Sequence, residues 1–149
     1  MSDQLEPRMQ DYESVIEDFE WDLPETYNAA VDVCDKHVDA ANRDKLAMYW
    51  EDADGNKEKY TFWEVKRASN RVANVLTDLG IEKGDRVGIH LDRGIESVAA
   101  HLGTYKVGAV AIALSAQFGR EGLRYRLDDA GAKVLVTQAR HRETVDAVR

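Results

Sequence analysis

The chain has 149 residues and a mass of 16.8 kDa, a size that suits one folded domain or one part of a larger protein. Hydrophobic residues make up 44% and charged residues 32%, as in folded soluble proteins, and no apolar run approaches the roughly 18 residues of a membrane-spanning helix. The formal net charge is −8 and 17 of the 28 acidic residues lie within residues 1–60, which argues against nucleic acid as a partner because its phosphates would be repelled there.

Residues 1–24 are predicted to form an acidic N-terminal arm. Scattered apolar positions stand among acidic ones, and the basic-then-apolar pattern of a secretory signal is absent. A solvated surface explains the acidity, and adaptation to a high-salt cytosol is the alternative. Cys34 is the single cysteine of the chain and cannot form an internal disulfide, so we expect a cytoplasmic location.

Residues 25–149 are predicted to begin with a helix and a β-hairpin. Apolar residues recur at helical spacing from Tyr27 to Val38. The loop Asp54-Gly55-Asn56 then separates two β-prone runs, which is typical of a hairpin. Next, Thr61 and Glu64 form the T-x-x-E pattern of a capping box. This pattern predicts a helix over 62–79, followed by glycine as a stop residue.

The remaining segments alternate between strands and helices. Strands are predicted over 86–91, 109–114 and 133–137, with helices over 94–108, 120–131 and from 140 onward. This βαβαβα order predicts an α/β fold with a largely parallel sheet and right-handed crossovers. Because strand 109–114 is continuously apolar, it is predicted to lie at the centre of the sheet, buried on both faces.

Motifs that would identify a catalytic centre are missing from the sequence. The glycines form neither the dinucleotide-binding G-x-G-x-x-G pattern nor a Walker-type phosphate loop. The histidines and the cysteine lack metal-ligand spacing, and no G-x-S-x-G elbow occurs. The sequence therefore predicts no catalytic residue and no metal ligand.

Polar residues that follow predicted strands are the better candidates for binding. Asp92 and Arg93 follow strand 86–91, at the end of the sheet where α/β proteins bind ligands, although a polar strand-to-helix turn is the simpler explanation. Arg140 and Arg142 flank His141 after strand 133–137. Guanidinium groups at the start of a helix suit a phosphate, and a surface turn is the alternative.

Other conspicuous side chains are predicted to be structural. His101 lies in an otherwise apolar helix and is expected to pack in the core, as is the thiol of Cys34. Arg120, Arg124 and Arg126 stand among acidic residues and are expected to form a salt-bridged, solvated helix face.

Three stretches of the chain resemble the N-terminal part of the AMP-forming acyl-CoA synthetases, members of the acyl-adenylate-forming superfamily. They are "YNAAVDVCDKHV", "LAMYWEDADGNKEKYTFWEVKRASNRVANVLTDLGIEKGDRVGIHL" and "GTYKVGAVAIALSAQFGREGLRYRLDDAGAKVLVT". Their order and spacing follow those of the family from about residue 27 to about residue 140. The resemblance implies that this unit is part of the large N-terminal domain of adenylate-forming enzymes.

The resemblance also implies a reaction for a parent protein. Such an acid–CoA ligase converts a carboxylic acid, ATP and CoA to acyl-CoA, AMP and pyrophosphate with the help of Mg²⁺. Similarity to the family's CoA contacts implies that Gln117, Arg140 and Arg142 meet CoA. Asp92 and Ala113 depart from the family pattern, which often has proline at both positions.

The family's ATP-binding and catalytic motifs are not found in these 149 residues. The missing motifs are the Ser/Thr/Gly-rich loop ending in Pro-Lys-Gly, the Tyr-Gly-x-Thr-Glu segment, the ribose-binding Asp and the C-terminal-domain Lys. The chain is therefore expected to be an incomplete subdomain that is inactive alone, with the remainder of the synthetase as its partner. An isolated unit of this kind is expected to aggregate through exposed sheet edges and apolar faces.

Two alternatives from other functional classes stay open. The chain could be a stand-alone, non-catalytic α/β binding or interaction module. It could also be a flavodoxin-like signalling domain with Asp92 as phosphoacceptor, although the acidic pair that would bind Mg²⁺ beside the first strand is missing.

Overall fold

A computed structural model describes residues 16–17, 19–20, 24–39 and 41–148. Most of the predicted acidic arm, residues 1–24, lies outside the described residues. Among the described residues, none of the helices combines the length and the apolar composition of a membrane span. From residue 24 onward the elements are α1 (Ala29–Val33), a 3-10 turn (Asp35–His37), β1 (Leu46–Glu51), β2 (Lys57–Thr61), α2 (Phe62–Asp78), β3 (Arg86–His90), α3 (Ile95–Lys106), β4 (Val110–Ala113), α4 (Arg120–Ala130), β5 (Val134–Thr137), a 3-10 turn (Ala139–His141) and α5 (Arg142–Asp146).

The first helix is shorter than the predicted apolar spacing from Tyr27 to Val38, because the backbone leaves the helical region at Cys34 (φ −131°, ψ −62°). Asn28 caps its start, and its Oδ1 accepts a hydrogen bond from the Ala30 N–H at 3.0 Å. The amide nitrogen of Asn28 donates to the Tyr105 carbonyl at 3.0 Å. One side chain thus both begins α1 and attaches it to the end of α3.

The predicted hairpin is confirmed, since β1 pairs antiparallel with β2 around Gly55. Gly55 has φ +83°, a conformation that glycine adopts without strain. The Asp52 carboxylate accepts hydrogen bonds from the backbone N–H groups of Asp54 and Asn56 at 2.9 and 2.8 Å. Trp50 Nε1 donates to the Arg93 carbonyl at 2.9 Å, which fastens the hairpin to the loop between β3 and α3.

The predicted capping box is present at the start of α2. Thr61 Oγ1 accepts from the Glu64 N–H at 3.2 Å, and the Glu64 carboxylate accepts from the Thr61 N–H at 2.8 Å. Helix α2 then packs closely against α3 at Gly103. A Cβ at Gly103 would lie 2.7 Å from Val72 Cβ and 2.9 Å from the Ser69 carbonyl oxygen, so only glycine fits this crossing.

The predicted parallel sheet is confirmed, with strand order β4-β3-β5 and both pairings parallel. The prediction that strand 109–114 lies at the centre is wrong, because β4 and β5 pair with opposite sides of β3. β4 is an edge strand of the described sheet, and Val110 is 46% exposed. Its apolar composition reflects packing on one side, where Ala111 contacts the core cluster around Val87 and Ile89.

Helix α4 matches its predicted span and ends at Gly131, which has φ +59°. The Arg86 guanidinium donates to the Ala130 carbonyl and the Gly131 carbonyl, each at 2.9 Å. The start of β3 is thereby joined to the end of α4, and this capping role of Arg86 was not predicted from the sequence.

Candidate functional site

The parallel sheet brings its polar turns to one edge, which is formed by the carboxyl-terminal ends of its strands. In the register of the sheet, Ile89 of β3 lies beside Ala113 of β4, and His90 lies beside Thr137 of β5. The carboxyl ends of the three strands are therefore level, and the turns that follow them leave from the same edge. Open α/β sheets bind their ligands at this edge.

The turn after β3 meets the turn after β5 in a cluster formed by Asp92, Gln138, Arg140 and His141, which we call the Asp92 cluster. Asp92 Oδ2 contacts the Arg140 guanidinium and lies 3.2 Å from His141 Nε2. Gln138 Oε1 accepts hydrogen bonds from the Asp92 backbone N–H and from Arg140, both at 3.2 Å. Two predicted candidates, Asp92 and Arg140, are thus brought together by the fold.

A buried histidine lies directly beneath this cluster. His90 is fully buried, and its ring centroid is 4.8 Å from that of His141. Neither ring nitrogen of His90 nor the buried hydroxyl of Thr137 makes a hydrogen bond of normal geometry among the described residues, and the nearby backbone of Ser115 and Leu114 only partly offsets the effect of burial on the pKa of His90. Burial, and then the neighbouring His141, lower the pKa of His90 below its ordinary value, so its neutral form is favoured.

Sequence reasoning did not single out His90. Its only signal is an ionisable residue in the otherwise apolar run "RVGIHL", which ends at Leu91. In a strand whose centre is buried on both faces, such a residue must be buried, and a buried imidazole without a hydrogen bond of normal geometry is uncommon. The position of that strand at the centre of the sheet supplied the missing information.

The other three predicted binding residues lie outside the Asp92 cluster, and Arg93 contributes its backbone carbonyl to a hydrogen bond from Trp50. Gln117 is exposed in the turn after β4, and its backbone N–H donates to Ser115 Oγ at 3.2 Å. Arg142 begins α5, where its Nε lies 3.2 Å from Asp146 Oδ2. Within residues 41–148, no hydrogen bond joins Gln117 to Arg140 or Arg142.

A groove of about 710 Å³ borders the cluster on the α2 and α3 side. Arg67 and Arg71 of α2, Glu96 of α3 and Val136 of β5 contribute to its wall. Gln138 also lines this groove, and the same side chain accepts hydrogen bonds within the Asp92 cluster. The groove and the cluster therefore share a wall.

The residues predicted to be structural have structural contacts. Cys34 is buried with its Sγ 3.8 Å from the Phe62 carbonyl oxygen, and burial raises the pKa of its thiol, which favours the unreactive form. His101 is half-buried, with Nδ1 2.8 Å from the Ser97 carbonyl oxygen. Among the described residues, no three side chains of the metal-ligating types form a group that could hold a metal ion.

The arginines of α4 face the end of the chain and their own helix. Arg120 pairs with Glu143 at 3.4 Å, and Arg124 donates to the Ala147 carbonyl at 2.8 Å. Arg126 lies over the Phe118 ring at 4.1 Å from its centroid. Arg120 thus forms the predicted side-chain ion pair, whereas Arg124 donates a hydrogen bond to a backbone carbonyl and Arg126 stacks on an aromatic ring.

Comparison with known proteins gives a consistent result. A protein-family model described as "AMP-binding enzyme" matches residues 35–149. An acetyl-coenzyme A synthetase of Gemmatimonas aurantiaca is 38% identical over 125 residues, which cover 79% of this chain and 19% of that protein. A 3-hydroxypropionyl-coenzyme A synthetase of Sulfurisphaera tokodaii is 36% identical over 117 residues, covering 78% of this chain and 18% of that protein.

The fold is also similar to that of a solved acyl-CoA synthetase. The crystal structure of an acyl-CoA synthetase from Brucella canis matches with a TM-score of 0.81 and 28% identity, over 93% of this chain and 27% of that one. The curated relatives are much longer proteins, and this chain spans about one fifth of their length.

Proposed function

The chain belongs to the family of AMP-binding enzymes, and on this basis we propose that it is the N-terminal part of an AMP-forming acid–CoA ligase. Such an enzyme joins a carboxylic acid to CoA at the expense of ATP, with release of AMP and pyrophosphate. The observation that carries the proposal is the similarity to acyl-CoA synthetases, which extends over most of this chain in both sequence and fold. We also propose a cytoplasmic location, which the single buried thiol of Cys34 fits.

Within this function we assign contacts with CoA to Gln117, Arg140 and Arg142. The position of the three residues supports this assignment, because they follow strands β4 and β5 at the end of the sheet where open α/β proteins bind ligands. The side chains of Arg140 and Arg142 are 63% and 82% exposed, so a phosphate group can reach them. Guanidinium groups bind phosphate through paired hydrogen bonds, and the Gln117 amide can both donate and accept.

ATP and Mg²⁺ would be bound mainly by other parts of the enzyme. The catalytic motifs of the family have no counterpart in these 149 residues, and none of the groups near the Asp92 cluster forms a metal site among the described residues. The contribution that we propose for this chain is part of the domain wall and the three contacts with CoA.

An experiment must identify the carboxylic acid that the proposed enzyme uses, because an acetyl- and a 3-hydroxypropionyl-coenzyme A synthetase are about equally similar to this chain. An antibody raised against residues 35–149 would be used to purify the native protein from its own cells. Exchange of labelled pyrophosphate into ATP would then be measured with acetate, 3-hydroxypropionate, medium-chain acids and aromatic acids.

The expected result is exchange that depends on one class of acid, together with release of AMP when CoA is added. The recombinant 149-residue chain, assayed in parallel, is expected to be inactive. A native species of 16.8 kDa that supports no exchange with any acid would contradict the proposal. That outcome would favour a stand-alone binding module.

A further inference from the structure

The carboxylate of Asp92 lies between two basic side chains of the turn that follows β5. Its Oδ2 contacts the Arg140 guanidinium and is 3.2 Å from His141 Nε2. The three residues come from two turns far apart in sequence, and the alignment of β3 with β5 brings them together. The resulting ion pair is half-buried on the Asp92 side, where 27% of the side chain is exposed.

Neighbouring groups fix this contact from both sides. Gln138 Oε1 accepts from the Asp92 backbone N–H and from Arg140, each at 3.2 Å. The His141 side chain is only 18% exposed, and its ring rests on the fully buried His90. Asp92 is therefore held by Gln138 and His141 as well as by Arg140, whereas the Arg140 side chain is 63% exposed.

A carboxylate and a phosphate use the same hydrogen-bond donors of a guanidinium group. An anionic ligand that binds Arg140 must therefore displace the Asp92 carboxylate or share the guanidinium with it. Sharing places two negative charges about 4 Å apart, which costs ~1 kcal/mol even at the dielectric constant of water, or about five-fold in affinity. If the ligand instead displaces the Asp92 carboxylate, the ion pair between Asp92 and Arg140 is lost.

We propose that Asp92 lowers the affinity of this edge for phosphate by competing with the phosphate groups of CoA for Arg140. The inference rests on the proposed function, because it takes CoA as the ligand of Arg140. Asp92 makes binding of any single phosphate weak, so that a ligand must make further contacts to be retained. If Asp92 only positioned Arg140 for the ligand, its removal would weaken binding, so the two roles predict effects of opposite sign.

The test is calorimetric titration with CoA of the protein in the form in which its cells make it, with the substitutions introduced into this chain. The variants are Asp92→Asn, Arg140→Ala and the double variant. Asparagine keeps an oxygen that can accept a hydrogen bond from Arg140 but carries no charge. Asp32→Asn is the matched control, because it removes one charge from an exposed ion pair with Lys36 in a different part of the fold. Asp92→Ser is a second charge-removing variant in case the asparagine variant does not fold by circular dichroism.

The expected result has three parts. Asp92→Asn binds CoA about five-fold more tightly than the natural chain, Arg140→Ala binds more weakly, and Asp32→Asn binds equally well. In the Arg140→Ala background, Asp92→Asn gives no further gain in affinity for CoA, because the guanidinium group for which Asp92 and CoA compete is absent.

The possible failures are distinguishable. If Arg140→Ala weakens CoA binding but Asp92→Asn leaves it unchanged or weakens it, the proposed competition by Asp92 is wrong and the contact between Arg140 and CoA is still supported. An equal gain with and without Arg140 would also overturn it, since the effect would then be one of net charge. If no variant binds CoA, or Arg140→Ala has no effect, the assignment of CoA to this edge fails and the inference fails with it.

Discussion

Gly103 is the position where a single added carbon should be most damaging. It lies in α3 at the crossing with α2, where a Cβ would be 2.7 Å from both Val72 Cβ and Val72 Cγ1 and 2.9 Å from the Ser69 carbonyl oxygen. Two of these atoms are a branched side chain's own Cβ and a backbone oxygen, and neither can turn aside. In Gly103→Ala the two helices must therefore move apart.

The size of the effect follows from two opposing terms. Overpacking a well-packed core costs about 1–3 kcal/mol, while alanine is better than glycine in a helix interior by about 0.5–1 kcal/mol. The clash exceeds the gain in helix propensity, so we expect a net loss of about 1–2 kcal/mol in the free energy of unfolding. For a chain of this size the melting temperature should fall by about 3–6 °C.

Gly122→Ala is the matched control because Gly122 is also helical, in α4. Its added Cβ would meet no atom nearer than 3.5 Å, and that atom belongs to the flexible Arg126 side chain. This variant should be stabilised by about 0.5–1 kcal/mol. Thermal unfolding followed by circular dichroism should rank Gly122→Ala above the natural chain and Gly103→Ala below it. A Gly103→Ala variant that melts at or above the natural chain would refute the packing argument.

Three further predictions concern the cap of α1, the buried histidine and the sheet edges. Asn28→Ala should lower the free energy of unfolding in urea by about 1–2 kcal/mol, since it removes the helix cap and the bond to Tyr105; an unchanged urea midpoint would contradict this. Because the pKa of His90 is lowered in the folded chain, the unfolded chain gains its proton at a higher pH than the folded chain does, as the pH falls through about 6.5. Stability should therefore decrease as the pH falls through about 6.5, and His90→Leu should reduce that decrease; an equal decrease in both proteins would exclude His90 as its cause. Because β4 and β5 are both edge strands of the described sheet, the isolated chain should self-associate in sedimentation velocity, whereas a monodisperse monomer with a sharp unfolding transition would argue against exposed edges.

The sequence alone predicted the features that depend on neighbouring residues. The capping box at Thr61 and Glu64, the hairpin at Gly55 and the end of α4 at Gly131 all appear where local patterns placed them. Local hydrogen bonds and backbone conformations set these features, so a few adjacent letters suffice. The order of the segments also indicated the family, which the similarity over residues 35–149 confirms.

Tertiary structure decided the order of the strands and the pairing of the candidate residues. An apolar strand has the same sequence pattern at the centre of a sheet and at its edge, which is why β4 was placed wrongly. The burial of His90 follows from the position of β3 between β4 and β5, which the sequence pattern does not give. Asp92 and Arg140 were each predicted as candidates, but only the pairing of β3 with β5 brings their side chains into contact. Contacts between residues far apart in the chain depend on the side of β3 to which each following strand returns, and no local pattern encodes that choice.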